Sequence, residues 1–323
     1  MKRAFFAAVG REIHVDVPLS NVAIDYQNQP QYIAGMIAPV VDVPNISGSI
    51  PEFSRRDRMS TTDDLRAPGT EANIIRREVS SDSFFCKNRA LKYPVTLEDK
   101  ANADPIYVQK LFNGAAEFLS GKLALNWENR VALQTTSGSN VGSYSAVSSA
   151  WTDYNNSDPL NDVLTRIDQV QDLTGTKPNK VVFGDKAWRN FRRNATVRNL
   201  IFGTNNGGGY ASRMQVAELL DVEEVLVGGA YKDTANRQQT ESLEQIWGDN
   251  VLVLYAPPAP SIYVPSFIYT FRWKAAGVPN MMAERHPYDT KTKSEEIEVG
   301  YYQDEKITGS EYGGLIIATD SST

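Results

Sequence analysis

The chain has 323 residues, enough for about two domains and a substantial core. Its hydrophobic fraction of 41% and charged fraction of 22% are ordinary for a globular protein, and a net charge of −6 argues against a general basic face for nucleic acid. One cysteine, Cys86, excludes an intramolecular disulfide framework and a multi-cysteine zinc site, and two histidines, His14 and His286, leave little for metal or acid–base chemistry.

The run from Met1 to Gly10 mimics a signal peptide faintly. Its apolar stretch is only about six residues and Arg11-Glu12 follows at once, so a soluble protein of a reducing compartment is expected. Residues 1–45 hold no lasting hydrophobic period. Pro18, Pro30, Pro39 and Pro44 interrupt it, and an extended arm lying on another surface is expected.

Residues 46–96 read as a long hairpin. Ile50 to Phe53 lead out to a polar tip bearing Arg55, Arg56, Asp57, Arg58, Asp63, Asp64 and Arg66, and Pro68-Gly69 turns it. The return runs from Ile74 to Val79, through Phe84-Phe85-Cys86, and on from Ala90 to Val95. A hairpin this long is marginal by itself in water, so a partner surface is expected to hold it.

Asp104 as N-cap and Pro105 as first residue open a helix to about Gln134. Val108, Phe112, Ala116, Leu119, Leu123, Trp127 and Val131 form one apolar stripe, widened by Leu111, Ala115, Phe118 and Leu125. Roughly 28–30 residues at ~1.5 Å each give a rod of ~45 Å. Gly114 and Gly121 lie inside it, and close packing against another backbone is one reason to tolerate them. Gln109, Lys110, Glu117, Lys122, Asn126 and Glu128 exclude a membrane span.

Ser137 to Ser149 is a Ser- and Gly-rich linker ending near Trp151. A compact α/β unit follows over 155–256. Asp158-Pro159 caps a helix that Gly175 ends, and Lys180 to Gly184 is a short buried strand. Asp185 opens a short helix bearing Trp188 and Phe191, and Ser212 with Gln215 makes a capping box. Val222 to Gly228 is a strand, and Leu243 to Tyr255 reads as a β-hairpin turning at Gly248-Asp249-Asn250. Beyond a hinge at Pro257-Pro258-Ala259-Pro260, three apolar stretches (267–273, 296–302 and 314–318) are expected to form one antiparallel sheet covered by the long helix.

No catalytic or metal-binding constellation stands out. Gly207-Gly208-Gly209 lacks the Lys-Ser or Lys-Thr of a phosphate loop. Asp153 to Leu164 fails as a calcium loop at its sixth and twelfth positions. Cys86 beside Phe84 and Phe85 reads as a buried small hydrophobe, and His286 has no partner nucleophile. Trp151, Trp188, Trp247 and Trp273 read as anchors, and Arg192-Arg193 as a solvated helix face.

From Val181 to Trp273 the chain resembles the major capsid proteins of tailed bacteriophages, the Hong Kong 97 fold. The resemblance rests on Val181 to Gly184, Trp188, Arg192-Arg193-Asn194 and Val197 to Ile201. It continues through Ala217 to Leu220, Val225 to Ala230, Thr234-Ala235, Ile246-Trp247-Gly248, Leu254-Tyr255 and Pro265 to Phe271. It implies an α+β chain with an N-terminal arm (1–45), an extended β-hairpin loop (46–90), a peripheral domain with spine helix and antiparallel sheet (91–150 and 257–323) and an axial α/β domain (151–256).

The resemblance further implies a non-enzymatic, cofactor-free shell subunit assembled into hexamers and pentamers around double-stranded DNA without sequence-specific binding. Scaffold, portal and decoration or cement proteins are the partners it brings in, with no membrane. The virion is the implied location, with assembly in the host cytoplasm. The charged tip from Arg55 to Arg66 would lie on a neighbouring subunit. Some members cross-link a loop lysine to an asparagine, but no lysine occurs from Asn45 to Cys86, so no such link is expected here. Only a short arm precedes the loop, so any scaffold is expected to be a separate protein. Three other readings remain at this point: an encapsulin-like compartment, a soluble α/β enzyme or binding protein, and a nucleic-acid-binding protein, against which stand the −6 charge and the absence of a basic stripe interleaved with aromatics.

Overall fold

The computed structural model describes residues 32–53, 59–61, 64–66, 68–69, 71–72, 74–75, 79–103, 105–203, 209–236, 238–274, 280–317 and 319–320. The first described elements are a short helix α1 (Ala34–Ile37) and strands β1 (Val40–Val43), β2 (Ser47–Phe53), β3 (Val79–Phe85) and β4 (Lys87–Thr96). Then come α2 (Leu97–Asn102), the long helix α3 (Pro105–Thr135), β5 (Ser143–Ala146), α4 (Pro159–Thr174) and β6 (Lys180–Gly184). Helices α5 (Asp185–Phe191), α6 (Ala195–Phe202) and α7 (Arg213–Leu220) lead to β7 (Glu224–Gly228). The rest is strands: β8 (Tyr231–Asp233), β9 (Leu243–Gln245), β10 (Val251–Leu254), β11 (Ile268–Trp273), β12 (Met282–Arg285), β13 (Ser294–Ile307) and β14 (Gly313–Ile317).

The chain divides into two compact units. One includes Asn88–Ala124 and Ala275–Tyr301, and the other comprises Pro30–Lys87, Leu125–Lys274 and Tyr302–Thr323.

In the larger unit, five strands run in the order β5-β14-β10-β6-β7. β6 and β7 are parallel, which demands a crossover, and α5 to α7 supply it. Alternating side chains then serve two cores. Val181, Phe183, Val225, Val227, Val251 and Val253 face the layer that includes α4, α5 and α7. Val182, Leu226, Leu252 and Leu254 face α1, Val131 and Ala132 of α3, Trp247 and Phe267. Burial on both sides is why these strands read as unbroken apolar runs. Local signals set the helix ends. Asp158 caps α4 by accepting from Asn161 N at 3.2 Å, and Gly175 takes the left-handed conformation (φ +64°) that ends it. Ser212 and Gln215 make the reciprocal capping box of α7.

The smaller unit is built on the first two-thirds of α3. Phe112, Ala115, Ala116, Leu119 and Leu123 are buried against Met281, Ala283, Ile297, Val299, Tyr301 and Val95. β12 pairs antiparallel with β13, with Met282 opposite Gly300 and Arg285 opposite Ile297. A Cβ at Gly300 would sit 2.8 Å from the Ala90 Cβ, so glycine lets β4 pass close to β13 there.

Several expectations are corrected. Phe118 is not in the buried stripe but 51% exposed. Asp104 lies outside the described residues, as do Gly207 and Gly208. The hairpin's return breaks at Phe85: Cys86 N donates to Ile46 O at 2.8 Å, closing the ribbon's base, and β4 departs to pair with β13. Ile74 and Ile75 belong to no strand. The Ser/Gly linker contains β5, parallel to β14. Leu243 to Tyr255 is no hairpin: β9 pairs with β8, while β10 lies between β6 and β14. β14 therefore leaves the sheet expected of it. β1 joins β11 in parallel, so the sheet of β11 and β13 is not wholly antiparallel.

Candidate subunit-contact surfaces

Of the tip residues, Arg55, Arg56, Asp57, Arg58 and Asp63 lie outside the described residues, and Asp64 and Arg66 are exposed. What the structure defines is the root of the loop. β2 and β3 pair from Ser47–Phe85 to Phe53–Val79. At the base, Phe85 N donates to Asp304 Oδ2 at 3.0 Å, and Lys306 Nζ donates to Asp82 Oδ1 at 2.5 Å and to the Ser83 carbonyl. Phe84 stacks on Phe271, ring centroids 4.8 Å apart. The Lys306 bond holds the Asp82 carboxyl below its ordinary value, whereas burial pushes that of Asp304 up. Past this anchored root the loop presents large apolar side chains to solvent: Leu65 is 84% and Ile74 79% exposed.

The described end of the arm is anchored differently. Glu128, fully buried on α3, accepts from Ile33 N at 3.0 Å and Ala34 N at 2.7 Å, the opening of α1. Burial raises its pKa, opposed by these bonds and one from Trp247. Ile33, Ala34, Ile37 and Ala38 then fill the adjoining core. The surface on which this part of the arm lies is that of its own chain.

Sequence reasoning missed Glu128, Asp304 and Lys306. A signal existed for Glu128: it sits four residues after Ala124 and three before Val131, on the buried line of the helix. Nothing local marked the other two, whose partners lie more than 200 positions away.

His14 lies outside the described residues, and Cys86 and His286 are tied into the packing. Cys86 is buried, its Sγ 3.5 Å from the Phe271 carbonyl, and burial pushes its thiol up to about 11. His286 Nε2 lies 2.9 Å from Glu298 Oε2, which also meets Lys92 at 3.2 Å. Trp151, Trp188 and Trp247 are buried. Arg192 stacks over Tyr210 at 5.0 Å instead of lying free on a helix face. Among the described residues, no His/Cys/Asp/Glu group could hold a metal, and no helix is long and apolar enough to cross a membrane.

No protein-family model matches the chain. The major capsid protein of Burkholderia phage BcepMu is 27% identical over 282 residues, spanning 84% of this chain and 87% of that one. A crystal structure of a phage-related protein from Bordetella bronchiseptica RB50 superposes with a TM-score of 0.74 at 26% identity, covering 95% of this chain and 97% of the other. Over most of its length the chain is thus similar to phage major capsid proteins. The capsid of cyanophage P-SCSP1u shares the fold at a TM-score of 0.58 and 13% identity, covering 88% of this chain and 87% of that chain.

Proposed function

We infer that this chain is the shell subunit of a tailed-phage head, forming hexamers and pentamers of an icosahedral capsid around double-stranded DNA. The observation that carries the inference is likeness to a phage major capsid protein across most of both chains. The role is structural, without catalysis, and the protein resides in the virion after assembly in the host cytoplasm. Scaffold, portal and decoration proteins are its further partners.

The partition into arm, extended loop, peripheral and axial domains belongs to this proposal, as does the loop tip as an inter-subunit contact. The rooted ribbon supports that role, because it fixes where the loop leaves the body. Each exposed pair formed by Arg55, Arg56, Asp57, Arg58, Asp63, Asp64 or Arg66 is worth only ~0–1 kcal/mol, and repetition over a shell makes the sum large. No isopeptide ladder is expected from a loop without lysine.

The test is the particle size of the expressed protein by light scattering and negative-stain microscopy. Megadalton rings or shells, alone or with scaffold protein, are expected. A monomer that persists with scaffold present would overturn the proposal.

A further inference from the structure

One side of α3 carries a line of residues that its own chain covers only in part: Leu111 packs against the buried cluster, and Phe118 meets the Tyr93 ring edge-on at 6.0 Å. Tyr107, Leu111, Gly114 and Phe118 recur at spacings of four, three and four, which sets them on one side of the helix. The other side, with Phe112, Ala116 and Leu119, is the buried one. Tyr107 and Phe118 are each 51% exposed. A Cβ at Gly114 would meet nothing within 4 Å. Packing among the described residues thus gives no reason for a glycine that costs a helix up to ~1 kcal/mol.

Charges on the flank of this line are self-complementary. Lys110 and Glu117 are both exposed and lie on the same flank, with Gly114 near their midpoint. They sit ~10 Å apart along the axis, beyond the usual reach of a pair within one helix. Lys110 lies over the Tyr107 ring at 4.7 Å, and neither charge forms an ion pair with a described residue. A two-fold axis near Gly114 would lay a second copy antiparallel. Each Lys110 then faces the second copy's Glu117, and each Phe118 faces its Tyr107 and Leu111. The two Gly114 backbones meet where the helices cross. An isologous contact requires this kind of self-complementary order.

We propose that this face of α3 is a two-fold contact between copies of the chain. It goes beyond the shell reading and does not depend on a closed shell. Such a helix pair is smaller than the ~1,200 Å² of an ordinary specific interface, so the contact is weak and is read by covalent trapping.

The test mixes equal amounts of ¹⁴N- and ¹⁵N-labelled full-length protein and treats them with a carbodiimide, which joins an amine directly to a touching carboxylate. A Lys110–Glu117 cross-link with one light and one heavy half is expected. Lys110→Glu and Glu117→Lys should each abolish it, and the double reversal should restore it. Gly114→Leu should keep the helical circular dichroism but lose the mixed link, because it fills the crossing while favouring the helix. A chain that stops at dimers yet gives the mixed link supports this contact and sinks the shell reading. Absence of the mixed link in the wild type overturns the contact, whether or not light scattering shows particles.

Discussion

The indole N–H of Trp247 donates to Glu128 Oε1 at 2.6 Å, and both side chains are buried. One carboxylate thereby joins the long helix, the segment before β10 and, through its other oxygen, the start of α1. Three donors converge on it, so removing the acceptor strands all three. Glu128→Ala is expected to cost about 3–5 kcal/mol, read as a lowered denaturant midpoint. A change under about 1 kcal/mol would mean that the carboxylate is not the tether described.

Gly300 offers a purely steric test. Its missing Cβ is what lets Ala90 and the Arg89 carbonyl, 3.0 Å from that position, come close. Gly300→Val is expected to destabilise by about 1–3 kcal/mol through forced separation of β4 and β13. Thermal unfolding would measure it, and an unchanged midpoint would show that the strands yield freely.

Acid should weaken the smaller unit through Glu295 and Glu298. Burial pushes both carboxyls up, but bonds from Lys100 and Arg285 to Glu295, and from His286 and Lys92 to Glu298, outweigh it. Both are held below the ordinary value of 4.5. A depressed folded pKa gives stability that is present above the unfolded pKa and lost as pH falls through the folded one. The Glu295→Gln/Glu298→Gln variant should therefore be less stable than wild type at about pH 7, with the gap closing towards about pH 3. Denaturant titrations at both pH values decide the matter; a constant gap would contradict the ion-pair account.

Cys86 should resist thiol reagents until the protein unfolds. Its thiol is pushed from 9.0 to about 11, mainly by burial, which leaves about a hundredfold less thiolate at mildly alkaline pH. Labelling by a disulfide reagent should be slow in the native protein and immediate in denaturant. Equal rates would show the site to be open.

The sequence reading was accurate where the determinants are local. A proline at the start, an apolar stripe and a Thr-Thr-Ser-Gly stop set the ends of α3 almost to the residue. Asp158, Gly175 and the Ser212–Gln215 box behave as their spacing predicts. It failed where strands choose partners. Gly248-Asp249-Asn250 has the composition of a hairpin turn, yet Val251 pairs with Phe183 and Ile316, far away in sequence. The charged loop tip was visible as composition, whereas its root at Asp82, Asp304 and Lys306 was not.

By itself, then, the sequence determined the helices, their caps, the apolar strands and a family resemblance, because helical hydrogen bonds and caps join residues within about four positions of each other. Only the tertiary structure decided which sheet receives β5, β10 and β14, and which buried carboxylate secures the arm. An apolar run fits any sheet that buries both its faces, and Glu128 meets Ile33 across 95 positions. Those choices follow from simultaneous burial and hydrogen-bond satisfaction across the whole fold, which no local window contains.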